Sequence, residues 1–308
     1  MTDPEVFPPR EPLRGQTFLE KHNVHPIVFA VACLFVVFVL YQLVAGTVTY
    51  WLVGGTSITR ENAFSVRLYT MIGQLACILL PTVLLARLLS TRLSDVFRWR
   101  VPGFGETLYA LLGLLFLQQV FQIYLFFQDR IPLPEILKKV LDPFKEMIET
   151  MFRNLVSAES IPELLFVIVV VAVVPAVTEE LFFRGLIQRS FEKAVAPVQA
   201  AILSGLIFGF YHFNPFAIVP LVGLGCYFGL LRLRSDSIII AMTAHFVNNA
   251  LAGIAVYFSM EHEMIIGAAK SEDPNIGAVL VQFVLYLTLF LLAFAAYIRA
   301  SRKVKESE

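Results

Sequence analysis

The sequence predicts an all-α polytopic membrane protein: about eight transmembrane helices with an additional amphipathic helix at the interface. Three observations carry that prediction. Of 308 residues, 57% are hydrophobic and the mean hydropathy is +0.73. Charged residues make up only 16%, against roughly 25% in soluble domains. The apolar residues are also gathered into runs of the length that crosses a bilayer, ~20 residues.

Taken in order, a polar segment over 1–25, rich in Pro and charge, precedes the first run. That run is too long for a signal-peptide core and has no A-x-A-like cleavage site after it, so it reads as a retained span. The predicted spans are 26–53, 68–89, 108–127, 161–183, 198–213, 215–231, 238–259 and 276–298. Only Asn214-Pro215, a turn signal, separates the fifth from the sixth, which predicts a tight helical hairpin. The whole of 26–298 reads as one transmembrane domain, followed by a basic tail over 299–308.

The connection between the third and fourth spans is not a passive loop. Ile136, Leu137, Val140, Leu141, Phe144, Met147, Ile148 and Met151 recur at helical spacing among Lys138, Lys139, Lys145 and Glu146. This pattern suits an amphipathic helix lying in the membrane surface, with Asp142-Pro143 expected to break or restart it. It reads either as a surface anchor or as a gate over a neighbouring cavity.

Charge fixes the expected orientation. With the N-terminus inside, sixteen of the 24 Lys and Arg residues fall in cytoplasmic segments and eight in outer ones. That asymmetry places both termini in the cytoplasm, and an integral, multi-pass position in the inner membrane of a prokaryotic cell is expected. The formal net charge is zero, which gives no basis for a nucleic-acid partner. Cys33, Cys77 and Cys226 are scattered in apolar runs without C-x-x-C spacing, so they read as small buried hydrophobes.

Against this background, six side chains are out of place. Glu179, Glu180, Arg184, His212, His245 and Asn249 lie within or at the ends of successive apolar runs. Ionisable groups at membrane depth cost a few kcal/mol on insertion scales and face protein interiors or watery cavities. Glu180 and Arg184 are i,i+4 on a helix and can pair, whereas Glu179 points about 100° away and is left without that partner. An unpaired carboxylate in such a place suits a general base. Taken alone, a charge cluster at a helix end explains these residues equally well. His212 closes the fifth span after Phe208, and a lone His there is ordinarily structural. His245 and Asn249, again i,i+4, present an imidazole and a carboxamide from one helix face. Asn248, one position off, suits hydrogen bonding between helices. Together the set reads as a water-activating centre with an oxyanion hole, needing no Ser or Cys nucleophile.

The order E-E-x-x-x-R, F-x-x-x-H, H-x-x-x-N, each on its own membrane helix, resembles a known group. Read here as Glu179-Glu180…Arg184, Phe208…His212 and His245…Asn249, it is similar to the CAAX prenyl protease and bacteriocin-processing family, in its type II CAAX protease (abortive-infection) group. The resemblance covers roughly residues 161–259. It implies an eight-helix intramembrane endopeptidase whose catalytic cavity opens toward cytoplasm and membrane. Glu179 and His212 would activate the water, His245 and Asn249 would stabilise the tetrahedral intermediate, and Glu180 and Arg184, with Phe208, would support the site. The implied partners are the lipid bilayer and a membrane-associated protein or peptide substrate, prenylated or otherwise close to lipid. No cofactor is expected. The runner-up is a catalytic zinc held by Glu179, His212 and His245.

Two rival functions use the same residues: a catalytically silent membrane scaffold, and a proton- or cation-coupled transporter. The transporter lacks a recognisable repeated half. Other signals have plainer explanations. His262-Glu263 begins an H-E-x-x-H motif but lacks the second His. Ser204-Gly205 and the spacing of Gly223, Gly225 and Gly229 fit close helix packing. Trp51 and Trp99 fit an interfacial aromatic belt.

Overall fold

The long membrane helices follow the apolar runs, and some of them begin at a side-chain cap. The computed structural model describes residues 17–55, 58–259 and 275–307. The first 16 residues and the loop carrying His262 and Glu263 lie outside the described residues. A one-turn helix α1 (Phe18–Lys21) is closed by a capping box between Thr17 and Glu20. The first span, α2 (Pro26–Val53), starts on the His25 ring, whose Nδ1 accepts the Ile27 N–H, and stops at Gly54 in the left-handed region, φ 82°. Then follow α3 (Ala63–Leu89), the short α4 (Leu93–Phe97) and α5 (Phe104–Gln128). The surface helix α6 (Glu135–Val156) leads to α7 (Ile161–Glu192), which is capped by the Ser160 hydroxyl. The chain continues with α8 (Pro197–Tyr211), α9 (Pro215–Ser235), α10 (Ile238–Tyr257) and α11 (Ile276–Ser307).

Among the described residues, seven helices are long and apolar enough to cross a membrane: α2, α3, α5, α7, α9, α10 and α11. The eighth expected span is α8, which has only 15 residues. With no strand among the described residues, and with Phe35, Leu84, Leu165 and Val281 exposed on the outer helix faces, this is an all-α, integral, multi-pass membrane protein.

Two expectations need correction. Asp142-Pro143 does not break the surface helix, which runs unbroken from Glu135 to Val156. Pro143 removes one N–H, but the carbonyl it frees belongs to Lys139, which is exposed and open to water. Nor does the fourth span end at 183: α7 continues to Glu192. Glu179, Glu180 and Arg184 are therefore helix-interior residues, and the reading as a charge cluster at a helix end is excluded. Around them α7 widens twice, over Val169–Val173 and Leu181–Ile187, where the backbone bonds shift to i→i+5. Such turns are rare and occur mostly as short bulges at functional places.

Two apolar clusters hold the bundle. One joins α2, α3, α4 and α7 through Phe29, Leu89, Phe97, Phe182, Leu186 and Ile187. The other joins α5, α9, α10 and α11 through Leu114, Tyr227, Leu231, Ala244 and Tyr297. The two tyrosines are satisfied there, Tyr227 Oη donating to Ala110 O and Tyr297 Oη to Leu231 O, each at 2.6 Å. Buried Arg67 of α3 ties down the end of α6. Its Nε donates to Leu155 O at 2.8 Å, its Nη2 to Asn154 O at 3.3 Å and to Ser157 O, and its Nη1 to Glu163 at 2.7 Å. The orphan carbonyls that any helix C-terminus leaves are thereby capped by a cation.

α8 and α9 form the expected hairpin, at backbone contact. A Cβ on Gly205 would stand 2.4 Å from Cys226 N, and one on Gly225 would stand 2.6 Å from Gly205 O. Neither neighbour is a flexible side chain that can step aside. Gly205→Ala should therefore lower stability by about 1–3 kcal/mol, the range for overpacking. The midpoint of thermal unfolding in detergent measures this, and an unchanged midpoint would contradict the packing described.

Candidate active site

Three helices, α7, α8 and α10, deliver the four key side chains of the site. On α7, Glu180 is fully buried between two partners. Its Oε1 meets His245 Nδ1 at 2.9 Å, and its Oε2 lies 3.1 Å from Arg184 Nε. The second contact is one of charge rather than an aligned hydrogen bond, since neither atom has a hydrogen-bond partner. The Arg184 guanidinium, also fully buried, donates from Nη2 to Gly225 O at 3.0 Å and lies 4.5 Å from the Phe208 ring centre. Phe183 and Phe228 close the cage at 5.8 and 5.6 Å.

His245 is thus held by Glu180 through Nδ1, and its ring lies flat against Phe228, with centres 5.2 Å apart and planes at 20°. Nε2 is the nitrogen left over. His212, just past α8, is held in the same way by its own backbone. Its Nδ1 lies 2.8 Å from Phe208 O. A carbonyl only accepts, so Nδ1 carries the proton and Nε2 of the neutral ring is a bare acceptor. Phe208 lies between the two imidazoles, 4.6 Å from one ring centre and 5.8 Å from the other.

Glu179 faces away from the ion cluster. Its Oε2 is buried, has no hydrogen-bond partner among the described residues, and stands 4.0 Å from His212 Nε2. Asn249 is fixed on both sides of its amide. Its Nδ2 donates to Val171 O at 2.9 Å, and its Oδ1 accepts from Asn248, which in turn accepts from Gln118 at 2.6 Å. The Val171 carbonyl is free for a sequence reason: Pro175, four residues on, has no N–H to give it. One N–H of the Asn249 amide remains uncommitted.

Glu179, His212, His245 and Asn249 line one cavity of about 370 Å³, together with Phe208 and Phe228. The four residues singled out from sequence are therefore brought together, with Phe208 among them and Glu180 and Arg184 behind His245. Several contributors carry no sequence signal. Phe228 is one of 28 phenylalanines. Tyr41, Thr70 and Gln74, which also line the cavity, come from the first two spans, outside the motif region. Gln74 is buried and accepts from the Thr178 hydroxyl at 3.2 Å; a buried amide in an apolar run was the one available clue.

Among the described residues no group of three or more His, Cys, Asp or Glu side chains is disposed to hold a metal ion. Glu179, His212 and His245 line the same cavity, and the Nδ1 contacts of the two His rings leave Nε2 of each as the remaining ring nitrogen.

Fold and site together define a membrane-embedded helical bundle with a polar, partly charged cluster at one cavity. Residues 161–251 match a family model, Rce1-like: type II CAAX prenyl endopeptidase. The matched segment carries all three motifs, and over that stretch the chain is similar to the type II CAAX prenyl endopeptidases. Comparison of the chain with curated proteins and with solved structures gave no match.

The two glutamates should respond differently to neutralisation. Glu180→Gln leaves a buried guanidinium uncompensated and should destabilise the protein by about 3–5 kcal/mol, whereas Glu180→Gln with Arg184→Met should recover most of that loss. Glu179→Gln, which breaks no close ion pair, should unfold within about 1 kcal/mol of the parent. Unfolding midpoints of the three variants decide the matter.

Proposed function

We propose that this protein is an intramembrane endopeptidase that hydrolyses a peptide bond of a membrane-associated protein or peptide by direct attack of water. The observation that carries the reading is the pair Glu179 Oε2 and His212 Nε2, two acceptors 4.0 Å apart on a cavity wall. A water between them donates both of its hydrogens, one to each, and so turns its lone pairs toward the cavity. Glu179 takes the proton as the water attacks the scissile carbonyl, and returns it to the departing amine. No covalent acyl-enzyme is required.

The developing oxyanion is met from α10. The Asn249 amide has one N–H to spare, and in the charged imidazole His245 Nε2–H is a second donor, with Glu180 behind it. Donors held rigid before the reaction are worth about 10²–10³ in rate each. Arg184, caged by three aromatic rings, positions Glu180 rather than touching the substrate.

Glu179→Gln removes the base while keeping the shape. Membrane-peptide termini compared between cells producing the parent and cells producing Glu179→Gln should show a set of termini present only with the parent. An unchanged set would overturn the peptidase reading and leave the scaffold. The reading also excludes a required metal: cleavage of a parent-dependent site in detergent should persist in the presence of EDTA or 1,10-phenanthroline. Loss of cleavage, restored by zinc, would overturn the metal-free mechanism.

A further inference from the structure

The two faces of the bundle are built differently, and only one of them gives access to the reaction cavity. Around α6 lie the start of α3, the end of α5, the start of α7 and the turn between α8 and α9. The links are explicit: Asn154 Nδ2 donates to Ile58 O at 2.7 Å, Arg67 caps the end of α6, and Gln128 Nε2 donates to Phe216 O at 2.8 Å. Phe144 of α6 lies 5.8 Å, ring to ring, from Phe216. The cavity belongs to this half. Phe152, Leu155 and Val156 of α6 line it, and α3 and α9 reach it near their α6-side ends, through Thr70 and Leu221. The sequence pattern left α6 as anchor or gate; it forms part of the cavity wall.

The opposite face is sealed. Trp99 and Ser237 form an antiparallel backbone bridge, Arg98 pairs with Asp236 at 3.4 Å, and Arg100 pairs with buried Glu106 at 2.7 Å. Arg189 Nε donates to Asp95 O at 3.1 Å, Lys193 Nζ donates to Leu89 O at 2.9 Å, and Glu192 bridges Arg189 and Arg232. None of these residues lines the cavity. Polar cross-links on three loops and a layer of buried apolar side chains, Leu89, Phe97, Leu186 and Ile238, stand in the way.

The sealed face is also the basic one. Among the described residues it carries the start of α1, the close of α11 and thirteen Lys and Arg positions, against seven around α6, the bias that marks the cytoplasmic side. A cavity opening to the cytoplasm and cytoplasmic termini cannot both hold in this fold.

We infer that the catalytic cavity receives its substrate from the extracytoplasmic side. The substrate class is then a membrane-anchored polypeptide whose scissile bond is presented at the outer surface, beside α6, after translocation, and not the C-terminus of a cytoplasmic protein. The identity of the substrate rests on the peptidase reading; the sidedness of the cavity does not.

Two single substitutions in the full chain test the sidedness. Glu146→Cys lies on the exposed side of α6, and Ser94→Cys is exposed on the sealed face. Sealed spheroplasts are treated with a membrane-impermeant maleimide, and the unsubstituted chain with Cys33, Cys77 and Cys226 sets the background. Labelling of Glu146→Cys in sealed spheroplasts, and of Ser94→Cys only after permeabilisation, is the expected result. Labelling of Ser94→Cys in sealed spheroplasts, or failure of Glu146→Cys to label there, overturns the inference. The termini lost in Glu179→Gln give the second readout: they should map to extracytoplasmic or outer-leaflet segments. Parent-dependent termini confined to cytoplasmic segments overturn the substrate class while sparing the peptidase. Absence of any such termini overturns the peptidase while the labelling still reports the cavity.

Discussion

Glu180 is the carboxylate on which the site turns. It lies in a part of the molecule where a lone charge costs several kcal/mol, and it is held there by a guanidinium one helical turn away and an imidazole from another helix. The three groups balance only as a set, so removing any one leaves the others buried and unmatched. This makes the cluster a positional device: α7 and α10 have a fixed mutual height, because any sliding separates the charges. It also fixes a rotation. With Glu180 turned toward His245, its neighbour Glu179 must turn toward the cavity, and the order Glu-Glu in the chain becomes a division of labour between bracing and chemistry.

A second accounting, of uncharged polar groups, reaches the same place. Pro175 frees the Val171 carbonyl, Asn249 occupies it, Asn248 occupies Asn249, and Gln118 of α5 closes the row. Each of these groups finds its partner on another helix or a neighbouring side chain within the protein, so the row ties three helices together as the charges tie two. Glycines make the third contribution. Gly205 and Gly225 let α8 and α9 touch backbone to backbone, which brings Phe208 beneath Arg184 and His212 within reach of Glu179.

What was legible in the sequence follows from which forces act locally. Spans were legible because hydrophobicity is a property of runs, and i,i+4 partners were legible because helix geometry is fixed; Glu180 with Arg184, and His245 with Asn249, rest on nothing more. The true end of α7 was hidden, since Arg184, Gln188, Ser190 and Glu192 look like an exit from the membrane. Ser190 returns its hydroxyl to Leu186 O, and the other three are buried because α9 supplies carbonyls and Arg232 to meet them, a fact about a segment forty residues on. The link from His245 to Glu180 crosses 65 positions, and nothing in either motif announces it. Tyr41, Gln74 and Phe228 were masked by their own surroundings, being aromatic or singly polar residues in runs that explain themselves.

The brevity of α8 has a consequence for the membrane. Fifteen residues rise only about 22 Å, against a hydrocarbon slab of ~30 Å. Lipid beside this hairpin must thin to match, as bilayers do around undersized segments at modest cost. His212 closes this helix, so thinning at that end would draw the headgroup layer toward the reacting atoms. A hydrolase surrounded by oil needs a supply of water, and here a helix too short for its bilayer brings the wet layer to it.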